Sequence, residues 1–212
     1  MTTEKQYLNE RYNRYTINHM VRKSEFDRDI VLDKAMECFH RYGYHGSSMQ
    51  MLVDAMGIGR GSLYATFTNK QTLFEESVNR YGRALSAAVA AQLESAPQPL
   101  AMIRFLMRDL VNRVVEDTDH KGCLITNTAI ELGGLEPELT KSIANVFTNV
   151  EDIYYRALVR AQDNGELGAE KKPRTLARFL VSIIQGMRVV GQVNSDPAIL
   201  QDIVEVALKN LD

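Results

Sequence analysis

The apolar positions of this chain recur at intervals of three and four residues over almost its entire length of 212 residues. Residues at this spacing share one face of an α-helix, whereas the apolar residues of a half-buried strand alternate every second position. Runs of alternating β-branched residues are few. The pattern therefore predicts an all-α protein with almost no strand.

Glycine, proline and hydroxyl residues divide this pattern into helices. Gly43 supplies a stop for the first helix, and Ser47-Ser48 offers an N-cap hydroxyl for the second, which runs to Gly57. The clearest internal break is residues 96–99, because a proline disfavours helix at the residue before it. The predicted helices cover residues 27–42, 49–57, 60–67, 70–95, 99–117, 122–133, 136–164, 173–194 and 196–210.

A tight turn at Gly57-Ile58-Gly59 leads into the short helix at residues 60–67, and a turn of this kind between two short helices is typical of a helix-turn-helix. Leu63 and Phe67 lie four residues apart and can anchor the short helix to the core. Its remaining side chains, which can face a DNA groove, are Arg60, Gly61, Ser62, Tyr64, Ala65 and Thr66. Ser48, Gln50 and Lys70, at the starts of the neighbouring helices, are candidates for phosphate contacts. Taken alone, the same pattern also fits a helical corner in an enzyme.

Four segments around this turn resemble the DNA-binding domain of the TetR/AcrR family: residues 28–39, 43–49, 57–64 and 67–70. The resemblance implies a three-helix head whose third helix enters the major groove, in a homodimer on a nearly palindromic operator. It also implies a transcriptional regulator, usually a repressor, in which Tyr64 and Lys70 contact phosphates. Gly59 replaces the usual capping hydroxyl, and Ala65 and Thr66 replace larger residues.

These features divide the chain into three parts. Residues 1–24 carry no clean apolar stripe and are interpreted as an N-terminal arm or an extra helix. Residues 25–72 form the DNA-binding head, and residues 73–212 form an effector-binding and dimerisation domain. The arm is basic, and its Arg11, Arg14, Arg22 and Lys23 either contact DNA or are ordinary solvated charges.

The composition is that of a globular protein, with 45% apolar and 25% charged residues. The formal net charge of −2 excludes a generally basic nucleic-acid coat, so any DNA contact depends on local charge. Between residues 41 and 70 the basic residues Arg41, Arg60 and Lys70 outnumber the single acidic residue, Asp54. No signal peptide and no uncharged run long enough to cross a bilayer is recognisable, so we expect a cytoplasmic protein.

The C-terminal part combines apolar walls with a few polar groups, which is typical of a small-molecule pocket. An effector pocket or sensor is predicted at Cys123, Met102, Phe105, Asn127, Phe147, Tyr154 and Gln185. Each of these residues taken singly is as easily explained as plain core. The effector itself is not identified by the pattern.

A broad apolar stripe on the helix at residues 173–194, continued on the last helix, exceeds what one chain is expected to bury. In the TetR/AcrR family the last two long helices form the dimer interface, and the resemblance implies the same arrangement here. The predicted interface residues are Leu180, Ile184, Met187, Gly191, Ile203 and Val206. The alternative is that both stripes belong to the intrachain core.

The two cysteines, Cys38 and Cys123, are too few for a disulfide framework and have no metal-ligand spacing to the histidines. Cys38 is interpreted as packing. Cys123 follows Lys121-Gly122 at a helix start, where the helix dipole and a lysine can lower the pKa of a thiol. The segment Gly122-Cys123-Leu124 is similar to that of NemR, an electrophile-responsive member of the same family. Cys123 is therefore either an electrophile sensor or a buried structural cysteine.

The sequence shows no motif typical of an enzyme, a metal site or a cofactor site. No paired histidines, phosphate-binding glycine loop or nucleophile elbow is present, so the chain is predicted not to be an enzyme and to need no metal or cofactor. A small helical enzyme and a helical protein-interaction module remain as alternatives. The main prediction is a regulator in which the helix at residues 70–95 transmits effector binding to the head and releases DNA.

Overall fold

The computed structural model describes residues 26–212, which form nine α-helices, a terminal 3₁₀ turn and no strand. The all-α prediction is confirmed for this range. The N-terminal arm with its four basic candidates lies outside the described residues. The helices are α1 Arg28–Gly46, α2 Met49–Met56, α3 Arg60–Phe67, α4 Lys70–Glu94, α5 Pro99–Val115, α6 Leu124–Leu132, α7 Pro137–Asp163, α8 Pro173–Val193 and α9 Pro197–Leu208, followed by the turn Lys209–Leu211.

Side-chain caps and prolines set most of the helix starts. The Ser48 hydroxyl accepts a hydrogen bond from the Met51 amide at the start of α2, and the Asn69 side chain caps α4 in the same way. α5, α7, α8 and α9 each begin with proline, whose missing N–H is not needed at a first helical position. These local rules explain why the predicted boundaries lie close to the observed ones.

Gly43 interrupts the first helix at the predicted position, and one more helical turn follows it. Its φ of 70° and ψ of −176° are non-helical, yet helical structure resumes and runs on to Gly46. A residue with positive φ is most easily glycine, since a Cβ is strained in that conformation. The extra turn after the kink is held by a contact from α6, described below.

The apolar core consists of two clusters, and the division between them does not coincide with the predicted domain boundary after residue 72. The first cluster unites the head with α6 and the first half of α7, and includes Phe39, Leu63, Ile125 and Ile143. The second cluster unites α5, the rest of α7, α8 and α9. The head therefore shares its core with part of the larger domain.

The four residues of α8 that were predicted to line a dimer interface are buried within the chain: Leu180, Ile184, Met187 and Gly191. A Cβ on Gly191 would lie 2.1 Å from the Val114 side chain, so this face of α8 packs directly on α5. These positions belong to the intrachain core, because α5 and α7 cover the stripe. Ile203 is half-buried, and Val206 is 62% exposed.

By length and composition, α8 is the one described helix that is long and apolar enough to cross a membrane. It contains Arg174, Arg178 and Arg188 and packs against α5 and α7. A core helix of a globular protein passes the same test, so this is weak evidence for a membrane span.

Candidate DNA-binding surface and effector cavity

The turn between α2 and α3 fixes the orientation of α3. Gly57 adopts the left-handed conformation, and its amide caps α2 by donating to the Val53 carbonyl. Leu63 and Phe67 are fully buried and lie in the same cluster as Leu52 and Met56. With these anchors fixed, the opposite face of α3 is held outward in one orientation.

The outward face of α3 carries most of the predicted groove-facing residues. Arg60, Gly61, Ser62, Tyr64 and Ala65 are exposed, with Tyr64 at 45%. Thr66 is half-buried, and its hydroxyl donates to the Ser62 carbonyl at 2.8 Å. Gly59 provides no side-chain cap, as its lack of a side chain requires. Thr66 is thus the least available of the six for contacts outside the chain.

The three candidates for phosphate contacts each have a local partner. Ser48 caps α2, and the Gln50 amide donates to Asp54 Oδ1 at 2.8 Å. The Lys70 ammonium lies 4.5 Å from the centroid of the Tyr44 ring, and burial lowers its pKa from the usual value. Lys70 is therefore held by the head itself, whereas Gln50 must exchange Asp54 for a phosphate.

A cavity of about 290 Å³ lies among α1, α4, α5, the loop before α6, and α8. Cys123 lines it and is the N-cap residue of α6, as expected of a cysteine at a helix start. Arg188 Nη1 donates to Cys123 Sγ at 3.2 Å. Burial and the neighbouring Cys123 raise the pKa of Tyr81, which also lines the cavity. The cavity is lined by His40, Tyr81, Leu85, Leu110, Arg113, Val114, Asp117, Lys121, Gly122, Cys123, Arg188, Gly191 and Gln192.

A second, mainly apolar lobe of about 70 Å³ adjoins this cavity, and the two share Leu85, Leu110, Arg113 and Arg188. Burial raises the pKa of Tyr154 in this lobe to about 12, so the phenol stays neutral. The lobe is lined by Leu85, Ala88, Val89, Gln92, Leu106, Leu110, Arg113, Val146, Phe147, Val150, Tyr154, Ile184, Gln185 and Arg188.

The structure brings together most, but not all, of the predicted pocket residues. Cys123 lines the larger cavity, and Phe147, Tyr154 and Gln185 line the lobe. Asn127 lies behind the wall, where it accepts a hydrogen bond from the cavity residue Gln192 at 2.8 Å.

Met102 and Phe105 line neither of these two spaces. Met102 packs against the second core cluster, and Phe105 is 58% exposed. The apolar pattern of α5 identified a helix but not which of its faces meets the cavity.

The cavity residues that escaped prediction from the sequence include four with polar or titratable side chains: His40, Tyr81, Arg113 and Arg188. Only Arg188 carried a usable signal, since it is a charged residue among the apolar positions of α8. The other three come from helices that meet the cavity only through tertiary packing.

The rim of the cavity, formed by Lys121 and Gly122, is joined to α1 of the head by a hydrogen bond and an ion pair. His40 Nε2 lies 3.1 Å from the Gly122 carbonyl oxygen, where the ring nitrogen can donate, and Lys121 pairs with Glu37 at 3.0 Å. Burial lowers the pKa of His40, which favours the neutral ring. Gly122 has a φ of 63°, and a Cβ there would meet the Gln192 side chain at 2.0 Å. The residue before Cys123 is thus most easily glycine, because of its positive φ and the nearby Gln192 side chain.

α6 also contacts the head at its other end. The Glu131 carboxylate accepts hydrogen bonds from the backbone amides of Tyr44, at 2.9 Å, and His45, at 2.8 Å. A Cβ on Gly43 would lie 2.8 Å from this carboxylate. α6 therefore begins at the cavity and ends on the segment of α1 that precedes α2.

In residues 26–212 no group of three or more histidine, cysteine or acidic side chains is arranged to hold a metal ion. The chemistry of the cavity comes from one thiol, from the charged side chains of Arg113, Arg188, Lys121 and Asp117, and from neutral groups. Binding and thiol modification are the processes that such a set can support.

Two family models match this chain. Residues 31–77 match the one described as bacterial regulatory proteins, tetR family, and residues 99–207 match the tetracyclin repressor-like C-terminal domain. The two matches cover the head and most of the larger domain, in that order.

Curated proteins with the same organisation include two named regulators. The uncharacterized HTH-type transcriptional regulator YezE of Bacillus subtilis is 38% identical over 91% of this chain and 100% of its own length. The HTH-type transcriptional repressor ComR of Escherichia coli is 30% identical over 88% of each chain. The similarity thus extends through both halves.

Solved structures give the same result. A cysteine mutant of the TetR family transcriptional regulator CifR, complexed with 26-bp operator DNA, superposes with a TM-score of 0.78 at 28% identity and covers 90% of this chain and 100% of that one. Reduced E. coli NemR superposes with a TM-score of 0.78 at 17% identity, covering 85% of this chain and 94% of that one, and so shows the fold alone.

Proposed function

Because the chain belongs to the TetR family of bacterial regulatory proteins, we propose that this DNA-binding transcriptional regulator is a repressor released from its operator by chemistry at Cys123 or by a small molecule in its cavity. Membership in this family excludes the alternative of an enzyme. The repressor role is supported by the similarity to ComR. The observation that carries the proposal is that Cys123 contacts Arg188 in a cavity whose rim is hydrogen-bonded to the head.

In the proposed complex, α3 lies in the major groove. Arg60, Ser62 and Tyr64 project from its exposed face toward base edges and phosphates. Gly61 and Ala65 allow close approach of the backbone. Ser48, Gln50 and Lys70 contact phosphates on either side. Thr66 contributes through its methyl group, since its hydroxyl is bonded within α3.

The second copy of the chain that a palindromic operator requires packs, in this proposal, on the outer faces of α8 and α9. Val189, Val190 and Val193 are exposed at helical spacing on α8, beside the exposed Gly186, which permits close helix approach. Ile199 and Val206 continue this apolar surface on α9, with the half-buried Ile203 between them. A self-complementary surface of this kind suits a two-fold dimer.

Two connections transmit a change in the cavity to the head. α4 lines both cavity lobes and is tied to α1, because Arg80 pairs with Asp33 and Arg28 donates two hydrogen bonds to Glu76. α6 runs from Cys123 to Glu131, which holds the Tyr44 and His45 amides. In a dimer the half-sites lie about 34 Å apart, so a small rotation of each head misplaces one α3.

Thiol modification acts by adding bulk. When N-ethylmaleimide reacts, a carbon–sulfur bond forms at Cys123, the carbon–carbon double bond opens, and the thiol proton ends on the neighbouring carbon. The new ring occupies the cavity and displaces Arg188 from Sγ. The rim at Gly122 then shifts against His40.

The test is fluorescence anisotropy of the purified protein on duplex DNA from upstream of its own gene, with scrambled duplex as competitor. We expect tight binding that resists the competitor, and loss of binding after treatment with N-ethylmaleimide. The untreated form of each variant serves as its own reference. If binding is weak and equal for both duplexes, genome-wide fragment selection is used to look for the operator elsewhere. A selection that yields no preferred sequence would contradict the proposal that the protein binds a specific operator.

The two cysteines provide a matched pair for the thiol step. Cys123→Ser should keep the protein on DNA after treatment. Cys38→Ser should respond like the parent protein, because Cys38 lies outside the cavity that Cys123 lines and burial raises the pKa of its thiol. Release that is equally strong in Cys123→Ser would show that this cysteine is not the sensor.

A further inference from the structure

Arg188 is a cation without an anion among the residues that the structure describes. Its Nη1 donates to Cys123 Sγ and to Gln185 Oε1, at 3.2 and 3.3 Å, and both acceptors are uncharged groups in their ordinary forms. On the same helix, Arg174 and Arg178 both pair with Glu151. A half-buried charge is costly unless a counter-charge or several hydrogen bonds compensate it. A guanidinium has five donors, so Arg188 has capacity for a further acceptor.

The position of Arg188 defines where that acceptor would lie. Arg188 and Arg113 are shared by the two cavity lobes and therefore mark their junction. Their positive charges also act on the buried Tyr154 in the apolar lobe, where both oppose the upward shift of its pKa. The junction thus combines positive potential with an apolar wall.

The other charges around the larger cavity have partners. Asp117 Oδ2 accepts a hydrogen bond from the Gly122 amide at 2.6 Å, and Lys121 pairs with Glu37. Arg113 pairs with Asp109 along α5 at 2.9 Å, while its own side chain stays largely exposed. Arg188 is therefore the group from which a ligand gains most.

We propose that the cavity binds a short-chain organic carboxylate, with the carboxylate on Arg188 beside Arg113 and the alkyl tail in the apolar lobe along Phe147 and Val150. The planar fork of arginine matches the two oxygens of a carboxylate. The apolar lobe can hold an alkyl tail, and inorganic phosphate has no such tail. The apolar lobe that would hold the tail has a volume of only about 70 Å³, which favours a short chain. This inference rests on the proposed function, for which it names the class of effector.

Isothermal titration calorimetry of the full chain without DNA tests the proposal, with hexanoate, hexanamide and inorganic phosphate as probes. Hexanoate should bind at least ten times more tightly than hexanamide, since the amide keeps the tail but has no charge. From propionate to hexanoate, affinity should rise by about fourfold per methylene. Phosphate that competes fully with hexanoate, together with no dependence on chain length, would overturn the assignment of the tail.

Arg188→Gln should weaken hexanoate binding at least tenfold. The matched control is Arg178→Gln, on the same helix, exposed and outside both lobes, which should bind hexanoate like the parent protein. Circular dichroism establishes that each variant is folded. Val150→Phe provides a test independent of the arginine, because a larger side chain at this buried lining position narrows the apolar lobe and should weaken the binding of hexanoate but not of propionate. Undiminished hexanoate binding in Arg188→Gln, or in Val150→Phe, overturns the proposed site.

Failure of this inference can be told apart from failure of the proposed function. If hexanoate binds through Arg188 but does not lower the anisotropy of the operator complex, the site stands and release by this ligand is wrong. If N-ethylmaleimide releases DNA through Cys123 while no carboxylate binds, the regulator proposal stands and the ligand class is wrong.

Discussion

The head and the cavity region differ in how completely their buried side chains are packed and paired. Around α3 the anchors Leu63 and Phe67 are fully enclosed, and Arg28 covers Phe67 while pairing with Glu76. Around Cys123 the helices leave two adjoining spaces, with Arg188 unpaired among the described residues. A rigid head suits the recognition of a fixed DNA surface. A domain with unfilled internal space suits the binding of a ligand that fills that space. The following predictions test this difference.

The largest expected effect is on core packing. Phe67→Ala should lower the free energy of unfolding by about 3–5 kcal/mol, because the enclosed site cannot collapse. Phe147→Ala should cost less than half as much, since this half-buried ring already borders a cavity. Urea unfolding followed by circular dichroism measures both. Equal losses would show that the two regions are packed alike.

Gly43→Ala should cost about 1–2 kcal/mol, because alanine is strained at a φ of 70° and its Cβ would press on the Glu131 carboxylate. Gly46→Ala is the control, since a Cβ there meets only ordinary contacts and its φ is not positive. Thermal melts monitored by circular dichroism compare the two. If Gly46→Ala lowers the stability as much as Gly43→Ala does, the kink at Gly43 has no special role.

Lys70→Gln should weaken operator binding and reduce the slope of log affinity against log salt by about 0.9 for each head, as expected for one lost phosphate contact. Lys141→Gln, which changes an exposed lysine on α7 away from α3, should leave the slope unchanged. The measurement is anisotropy over a range of salt concentrations. An unaltered slope for Lys70→Gln would remove this residue from the DNA contacts.

The smallest effect concerns pH. Burial lowers the pKa of His40 below its usual 6.5, so the unfolded chain takes up a proton at higher pH than the folded one. The stability contributed by the neutral ring is present above pH 6.5 and is lost as the pH falls through the lowered pKa. His40→Gln, which can still donate to the Gly122 carbonyl, should flatten this loss in urea unfolding between pH 7 and 5. His45→Gln, at an exposed site, is the control; an unchanged slope in His40→Gln would argue against this assignment.

Much of the head could be predicted because its signals are local. The Ser48 cap, the Gly57 turn and the four-residue spacing of Leu63 and Phe67 each depend on neighbours in the chain. The exposed face of α3 follows once these anchors are known. Cys123 was found for the same reason, since a helix start is visible in the sequence.

The errors lie where one helix meets another. The stripe of Leu180, Ile184 and Met187 predicts a buried face, but periodicity does not reveal whether α5 and α7 or a second chain covers it. Phe105 looked like a pocket residue because its helix does border the cavity, though on another face. The Glu131 carboxylate accepts hydrogen bonds from amides 86 and 87 residues earlier in the chain, so no local pattern could predict its role.

By itself, the sequence determined the nine helices of the described range, the helix-turn-helix, the outward face of α3 and the position of Cys123 at a helix start, because capping, turn geometry and periodicity act over a few residues. Only the tertiary structure decided which apolar stripe is covered within the chain, that Arg188 contacts Cys123 in a cavity, and that α6 joins this cavity to the head. Those features depend on contacts between residues far apart in the chain, and helical spacing specifies a face without specifying its partner.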